Sequence, residues 1–169
     1  MEPLGTRGKN ALMDPEFDRL EQLYHEMGPA LLGYFRRQPM LAGVAEDLLQ
    51  DTFVRALTRI DRLQASVSQK AYLFGIARHV GIDALRQMNV ADKMAMEAPA
   101  MTEGLDERLE PMRQAISGLP EAQREALLLK LQQELSYVEI AEVLDIPVGT
   151  VRSRLHHALL NLRQTLNPS

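Results

Sequence analysis

The sequence predicts an all-α protein of two small helical domains joined by a flexible acidic linker, with a helix-turn-helix in the C-terminal domain. Apolar residues recur at helical spacing on both sides of a central stretch that contains the helix breakers Pro99, Gly104 and Pro111. The 169 residues are 46% hydrophobic, 25% charged and 5% aromatic, which is typical of a globular chain with aliphatic cores. Because the chain has no cysteine, disulfides and thiolate metal sites are excluded.

The N-terminal domain is predicted to span residues 15–87. Residues 1–14 lack the apolar core of a signal peptide, and we expect them to be disordered. No run of about 18 apolar residues occurs, so we expect no membrane-spanning helix. Few breakers interrupt the domain, which is predicted to contain the helices Phe17–Met27, Pro29–Arg37, Ala45–Arg59 and Gln69–Gln87.

Two of these helices have distinct apolar and polar faces. The core stripe of helix 45–59 is predicted to consist of Leu48, Leu49, Phe53, Ala56, Leu57 and Ile60. The polar residues off that stripe are Asp47, Gln50, Asp51 and Arg55. They form either a solvated face or a surface that pairs with basic groups of a partner helix.

Helix 69–87 has a similar division. Its predicted core residues are Leu73, Ile76, Ala77, Val80 and Leu85. The residues left for polar contacts are Tyr72, Arg78, His79, Asp83 and Arg86. Tyr72 and Phe74 lie among cationic residues, an arrangement that suits stacking on unpaired bases and equally suits aromatic side chains at the edge of a core.

Residues 88–117 are predicted to form the linker. Between Glu97 and Arg113 this segment holds five acidic residues and two arginines. Such a composition favours a solvated connection with at most a transient helix at its end. Leu119 and Pro120 then open a helix of the C-terminal domain, residues 118–169, because proline suits the first turn of a helix.

The C-terminal domain continues with two helices separated by a short turn. Ser136 and Glu139 form a capping box, which predicts that a helix begins at Tyr137. Pro147 interrupts the helical pattern, and a second helix is predicted from Val148 or Gly149 to Leu166. Its apolar stripe is predicted to consist of Val151, Leu155, Ala158, Leu159, Leu162 and Leu166.

The opposite face of the second helix carries small polar and cationic residues. These are Thr150, Arg152, Ser153, Arg154, His156 and His157. From Ile146 onward the sequence contains no Asp or Glu, so this end of the chain has one sign of charge, as a surface facing DNA phosphates requires. The pattern favours a DNA-binding helix-turn-helix over an ordinary antiparallel helix pair.

The charge of the whole chain limits this hypothesis. With a formal net charge of −4, the molecule is a poor nonspecific DNA binder. Its affinity for DNA is therefore expected to be local, conditional or dependent on a partner.

Four segments together resemble the extracytoplasmic-function (ECF) sigma factors of bacterial RNA polymerase. They read EDLLQDTFVRAL, AYLFGIARHVGIDALR, LPEAQREALLLK and SYVEIAEVLDIPVGTVRSRL, and they occur in the order and spacing of that family. The similarity covers the chain from Phe17 to Leu166, including the position of the linker. It implies an alternative sigma factor that binds the polymerase core, recognises the minus-35 and minus-10 promoter elements and helps to open DNA.

The resemblance assigns expected roles to individual residues. Binding to the clamp helices of the largest polymerase subunit would involve Asp47, Gln50, Asp51, Phe53 and Arg55. The minus-10 element would be melted and held as a single strand by Ser66, Lys70, Tyr72, Arg78, His79, Asp83 and Arg86. The minus-35 element would be read in the major groove by Thr150, Arg152, Ser153, Arg154, His156 and His157.

The resemblance also implies partners and a location. The expected partners are the clamp helices and flap of the polymerase core, promoter DNA and a dedicated anti-sigma factor, in the cytoplasm. No cofactor, metal or catalytic residue is expected, because the polymerase performs the phosphoryl transfer.

Two positions depart from the family pattern. Many relatives have Asn in place of His79, which puts its role in capturing a base in doubt. Many also carry a basic residue, often Arg, where this chain has the pair His156 and His157. Neutral His offers one donor and one acceptor whereas Arg can bind guanine through two donors, so we expect a different promoter preference at that base.

Two other classes of function fit parts of the sequence. A stand-alone helix-turn-helix regulator would bind duplex DNA without polymerase, but no segment resembles a ligand-binding domain. A helical metal-dependent phosphohydrolase would use His79 and Asp83 with Asp47 and Asp51, but His25 is the only other histidine of the N-terminal domain.

Overall fold

The computed structural model describes residues 15–88 and 107–168, and within these ranges all regular secondary structure is helical. The predicted all-α class is therefore confirmed. Residues 1–14 and most of the predicted linker lie outside the described residues. None of the helices within these ranges combines the length and apolar character that a bilayer crossing requires.

The first helix, α1, runs without interruption over Pro15–Arg36. The prediction of two helices, 17–27 and 29–37, is wrong. Pro29 lies inside α1 and removes one backbone hydrogen bond. Packing overrides this local cost, because one buried face continues through the proline and contains Leu20, Leu23, Leu31 and Phe35.

Three further helices complete the described N-terminal domain. They are α2 (Ala45–Thr58), α3 (Ile60–Ala65) and α4 (Gln69–Gln87), and a 3₁₀ turn at Ala42–Val44 precedes α2. The sequence analysis missed α3, which follows Arg59 after the backbone leaves the helical region. At the start of α4, the Ala71 N–H donates to the Ser68 hydroxyl at 3.1 Å, so Ser68 caps the helix. Helices α1, α2 and α4 pack against one another.

The C-terminal domain begins earlier than predicted. A 3₁₀ turn at Glu107–Leu109 and helix α5 (Glu110–Ser117) lie within the segment predicted as linker. Helix α5 packs against the last helix of the chain and buries Ala115. Pro111 does not prevent the helix because it lies in the first turn, where its missing N–H has no helical partner to lose.

The remaining helices agree with the sequence pattern. They are α6 (Glu121–Gln133), α7 (Tyr137–Leu144) and α8 (Val148–Leu166). The predicted capping box opens α7: the Ser136 N–H donates to the Glu139 carboxylate at 2.7 Å, and the Glu139 N–H donates to the Ser136 hydroxyl at 3.2 Å. Asp145 ends α7 in a left-handed conformation with φ 53°, and Pro147 precedes α8. The helix-turn-helix is thus formed by α7 and α8.

Two predicted core residues are exposed. Leu57 and Leu159 are 44% and 58% exposed, respectively. Each directly follows a fully buried alanine, Ala56 or Ala158. Consecutive helical residues point about 100° apart, and in these two pairs the alanine lies at the centre of the buried face while the leucine is turned toward solvent.

The two domains pack directly on each other. Helix α4 of the N-terminal domain lies against α7, the first helix of the helix-turn-helix. Buried residues of both domains belong to one continuous hydrophobic cluster. A Cβ atom at Gly75 of α4 would lie 4.0 Å from the Cα atom of Val143 of α7, so the two backbones approach closely.

Candidate functional site

The outer face of α8, defined here as Thr150, Arg152, Ser153, Arg154, His156 and His157, is accessible. Four of these residues are exposed, and Thr150 and Arg154 are half-buried. The Ser153 hydroxyl and His157 Nδ1 lie 3.4 Å apart, and the rings of His156 and His157 meet edge to face at 5.7 Å. The face therefore presents two arginines and two imidazoles without an acidic neighbour on its own helix.

The start of α8 adds further hydrogen-bond donors to this face. Pro147 is the N-cap and supplies no side-chain acceptor for the first turn. The N–H groups of Thr150 and Val151 bond to the Pro147 carbonyl, which leaves the preceding N–H groups directed outward from the helix end. Donors and positive charge together suit a phosphate group at this end of the recognition helix.

The outer face of α2 is defined by Asp47, Gln50, Asp51 and Arg55, and its residues differ in accessibility. Asp47 and Gln50 are exposed, whereas Asp51 and Arg55 are half-buried. Phe53, predicted to contact polymerase, is only 7% exposed and packs edge to face against Tyr24, with ring centroids 4.9 Å apart. The Phe53 side chain lies in the core beneath the outer face of α2. The structure therefore does not support the prediction that Phe53 contacts polymerase directly.

Exposed apolar residues border the outer face of α2. Val54 and Leu57 on α2 and Tyr24 on α1 are all exposed. None of the three was predicted as an interface residue from the sequence, where the apolar periodicity of α2 predicted that Leu57 belongs to the core. The sequence signal for them is their spacing: Val54 and Leu57 lie three residues apart, which places both side chains on one side of a helix.

Arg55 joins the outer face of α2 to α4. Its guanidinium donates to Asp83 Oδ2 at 2.8 Å and to Asp51 Oδ2 at 3.2 Å. The hydrogen bond from Arg55 lowers the pKa of the Asp83 carboxyl, and the bond to Asp83 in turn raises the pKa of Arg55. Arg55 thus compensates both carboxylates, which were predicted to contact different partners.

The same ion pairs weigh against the metal-site alternative. A guanidinium between Asp51 and Asp83 takes the oxygen atoms that a metal ion would need. Within residues 15–88 and 107–168, no group of three or more His, Asp or Glu side chains is placed to hold a metal ion.

The α4 surface is defined as Ser66, Lys70, Tyr72, Arg78, His79, Asp83 and Arg86. His79 and Arg86 are exposed, and the other five residues are half-buried. The Ser66 hydroxyl donates to the Leu63 carbonyl at 2.6 Å. Phe74, considered for base stacking from the sequence, is fully buried and packs against Tyr34, so it is a core residue.

A residue that the sequence analysis missed lies at the start of the α4 surface. Val67, in the turn between α3 and α4, is fully exposed. An apolar side chain between Ser66 and Ser68 at a break between two helices is the signal that could have identified it. Its position makes it available to a ligand of this turn.

Two cationic residues of the α4 surface contact the C-terminal domain. Lys70 Nζ donates to the carbonyl oxygen of Gln133 at the end of α6. Arg78 Nε donates to Glu125 Oε1 of α6 at 2.7 Å. The hydrogen bond that Arg78 donates to Glu125 raises the pKa of Arg78, so this cation is held in its charged form.

Nearby polar groups complete this contact between the domains. The Ser68 hydroxyl donates to Glu139 Oε1 at 2.7 Å. Hydrogen bonds from the Ser136 backbone and the Ser68 hydroxyl lower the pKa of Glu139. Burial raises the pKa of Tyr34, beside Arg78 and Glu125, to about 12.

Comparisons with known proteins agree on one family. The Sigma-70 region 2 family model matches residues 23–89, and the Sigma-70, region 4 model matches residues 109–162. RNA polymerase sigma factor YlaC of Bacillus subtilis is 31% identical over 166 residues, covering 90% of this chain and 94% of the relative. ECF RNA polymerase sigma factor SigW of the same species is 33% identical over 141 residues, covering 72% and 75%.

Two solved structures share the fold. Sigma factor RpoE from Bartonella quintana, in complex with the anti-sigma factor NepR, matches with a TM-score of 0.65 at 26% identity, covering 88% of this chain and 97% of that chain. CnrH in complex with the cytosolic domain of CnrY also matches with a TM-score of 0.65 at 26% identity, covering 89% and 88%.

Proposed function

The chain belongs to the ECF sigma factors of RNA polymerase, and from this premise we propose which of its surfaces serve each step of promoter recognition. It is an alternative sigma factor that binds the polymerase core, recognises the minus-35 and minus-10 elements and helps to open DNA. The observation that carries the residue assignment is the exposed cationic outer face of α8, which follows a capped helix-turn-helix.

The outer face of α8 reads the minus-35 element. Arg152, Ser153, His156 and His157 are exposed on one helix whose width fits the major groove. Thr150 and the first turn of α8 receive a backbone phosphate. The imidazoles of His156 and His157 lie where many relatives have Arg. A neutral imidazole donates one hydrogen bond, whereas Arg can donate two to guanine, so the preferred base at this position differs from guanine.

The α4 surface holds the minus-10 element as a single strand. Tyr72, His79 and Arg86 offer stacking and cationic contacts to bases and phosphates. Melting requires no ATP, because capture of unstacked bases offsets the few kcal/mol that unpairing costs at each step.

The outer face of α2 binds the clamp helices of the largest polymerase subunit. Asp47 and Gln50 provide exposed polar groups, and the neighbouring Val54 and Leu57 provide apolar area. A polar pair beside an apolar stripe is the composition of many protein interfaces.

An anti-sigma factor is a further partner. The solved structure of sigma factor RpoE contains the anti-sigma factor NepR, and that of CnrH contains the cytosolic domain of CnrY. The chain acts in the cytoplasm, where the polymerase and promoter DNA are present. It has no catalytic residue of its own, because the polymerase forms the phosphodiester bonds.

Run-off transcription from a pool of random promoters tests the proposed function. Core polymerase free of sigma factors is assayed with and without the chain, and the templates that initiate are sequenced. We expect initiation that depends on the chain and selects two short elements.

Two failures would lead to different conclusions. Core binding without any dependent transcript would contradict promoter recognition and favour an inhibitor of the polymerase. Absence of core binding together with binding of duplex DNA would favour the stand-alone helix-turn-helix regulator.

A further inference from the structure

Arg55 lies between the two surfaces that the proposed function assigns to different partners. It belongs to the outer face of α2, yet its guanidinium reaches Asp83 on the α4 surface. Arg55 Nη1 donates to Asp83 Oδ2 at 2.8 Å, which is shorter than either of its bonds to Asp51. The closest polar contact of this α2 side chain is therefore made with the promoter surface.

Asp51 fixes the direction in which Arg55 points. The Asp51 carboxylate lies one helical turn before Arg55 and accepts from its Nε at 3.4 Å and its Nη2 at 3.2 Å. Two bonds to one carboxylate restrict the plane of a guanidinium. The third nitrogen, Nη1, is thereby directed at α4. Asp51 thus orients Arg55, and Arg55 orients Asp83.

The contribution of this ion pair lies in the direction of a side chain rather than in the association of two helices. Ala56, which follows Arg55, is fully buried, and Val80 of α4 is 1% exposed. The distance between α2 and α4 is therefore set by apolar packing. The side chains of Arg55 and Asp83 are 37% and 40% exposed, and ion pairs with such access to water add little to stability.

Asp83 is the one acidic residue of the α4 surface as defined above. His79 and Arg86 lie four residues before it and three residues after it, on the same side of the helix, and both are exposed. A carboxylate repels the phosphates of a DNA strand. It does accept hydrogen bonds from the amino groups of bases. Asp83 therefore suits contact with a base and not with the backbone.

One oxygen of Asp83 is available for such a contact. Arg55 occupies Oδ2, and among residues 15–88 and 107–168 no hydrogen bond reaches Oδ1. The bond from Arg55 lowers the pKa of Asp83, so the carboxylate stays ionised and acts only as an acceptor.

We infer that Arg55 is a positioning residue for recognition of the minus-10 element. It holds Asp83 so that Oδ1 accepts a hydrogen bond from the exocyclic amino group of one unpaired base. Thymine has no such group, so this position selects adenine, cytosine or guanine against thymine. The inference rests on the proposed function of the α4 surface, and it moves Arg55 from the polymerase interface to the promoter surface.

Promoter selection with variants of both residues tests the inference. Run-off transcription from a pool of random promoters, followed by sequencing, gives the base preference at each position of the minus-10 element. We expect the unmodified chain to reject thymine at one position and Asp83→Ala to abolish that rejection. Arg55→Met keeps a long side chain without the guanidinium, and it should weaken the rejection several-fold at the same position alone.

Two further variants refine the test. Arg55→Lys keeps the charge but has a single nitrogen, which cannot bind two carboxylates as a fork does, so its rejection of thymine should be intermediate. Arg36→Met is the matched control, because Arg36 also pairs with an acidic residue of α2, Glu46, at 3.1 Å but lies outside the α4 surface. Its base preferences should equal those of the unmodified chain.

The base preference distinguishes positioning from support of the fold. A residue that only supports the fold would lower initiation at all promoters alike, without changing which base is selected. Circular dichroism establishes that each variant is folded, and Arg55→Lys provides the test if Arg55→Met does not fold. A fluorescence titration measures the affinity of each variant for core polymerase, which should be unchanged in Arg55→Met.

Several results would overturn the inference. These are acceptance of thymine by the unmodified chain throughout the minus-10 element, or full rejection of thymine by Asp83→Ala or by the folded Arg55 variants. A fall in core affinity with an unchanged base preference would return Arg55 to the polymerase interface. An unmodified chain that never supports initiation would instead contradict the proposed function, and the inference with it.

Discussion

Arg152 lies one turn into α8, exposed, on the face proposed to enter the major groove. We predict that Arg152→Ala weakens promoter-specific initiation roughly tenfold or more, since loss of one arginine contact to a base costs about 1 to 3 kcal/mol. Run-off transcription on a selected promoter measures the effect, and a core-binding assay should give an unchanged affinity.

Arg163→Ala is the matched control for this prediction. Arg163 is also exposed on α8 but lies in its last turn, away from the end proposed to enter the groove. The substitution Arg163→Ala removes the same charge as Arg152→Ala. If both substitutions reduced initiation equally, Arg152 would contribute only general positive charge.

Glu139 links the capping box of α7 to Ser68 of the N-terminal domain. These hydrogen bonds hold its pKa in the folded protein below the ordinary glutamate value of 4.5. A lowered folded pKa stabilises the fold above the ordinary value, and the contribution is lost as the pH falls through the lowered pKa. The pH sensitivity should therefore lie below 4.5, on the acid side.

We predict that Glu139→Gln makes stability less dependent on acid pH. Urea unfolding followed by circular dichroism at roughly pH 6 and roughly pH 3 measures the loss of free energy of unfolding between them. The loss should be smaller in Glu139→Gln than in the unsubstituted chain. Glu142→Gln, at an exposed position of the same helix, is the comparison, and an equal change in both variants would contradict the role of Glu139.

At the scale of the element, α2 presents one face to its own core and the other to a partner. Leu48, Leu49 and Phe53 are buried, while Asp47 and Gln50 are exposed. We predict that Asp47→Ala combined with Gln50→Ala lowers affinity for the polymerase core about tenfold, or about 1.4 kcal/mol. The thermal stability of the chain should hardly change, because surface substitutions of this kind usually alter it little.

A pull-down or fluorescence titration with core polymerase checks this prediction. Asp61→Ala, which removes an exposed acid from the neighbouring helix α3, is the control. An unchanged core affinity of the double variant would remove the outer face of α2 from the polymerase interface.

The elements also differ in how readily sequence predicts them. The capping box of α7, the break at Pro147 and the length of α8 follow from contacts within a few residues, and all three agree with the structure. The continuity of α1 through Pro29 and the packing of α5 do not follow from local contacts. Each depends on which neighbouring helix covers the apolar face. Met112, Ala115, Ile116 and Leu119 recur at helical spacing, which is a sequence signal for α5. The acidic composition of the surrounding segment favoured a linker instead.

At the scale of the whole molecule, charge separates the DNA-facing end from the rest. The chain has a net charge of −4, yet the outer face of α8 is cationic. We predict that the free protein binds promoter duplex weakly at roughly 0.15 M salt and gains tight, specific binding with core polymerase.

Gel-shift titrations over a range of salt concentrations, with and without core polymerase, measure this dependence. Binding by the chain alone should weaken steeply as salt rises, because phosphate neutralisation supplies most of it. Tight and sequence-specific binding by the chain alone at physiological salt would contradict the prediction and favour an independent regulator.

The sequence by itself determined the all-α class, the helix-turn-helix and the polar residues on the outer faces of α2 and α8. These features depend on periodicity, capping and turn chemistry among residues three to seven apart. Composition likewise determined the acidic net charge and its local reversal after Ile146.

Only the tertiary structure decided which of two adjacent apolar residues enters the core and where the α4 surface points. The bonds from Arg78 to Glu125 and from Ser68 to Glu139 join residues 47 and 71 positions apart. No local pattern encodes such pairs, because they form only when two helical units far apart in sequence bury apolar surface against each other.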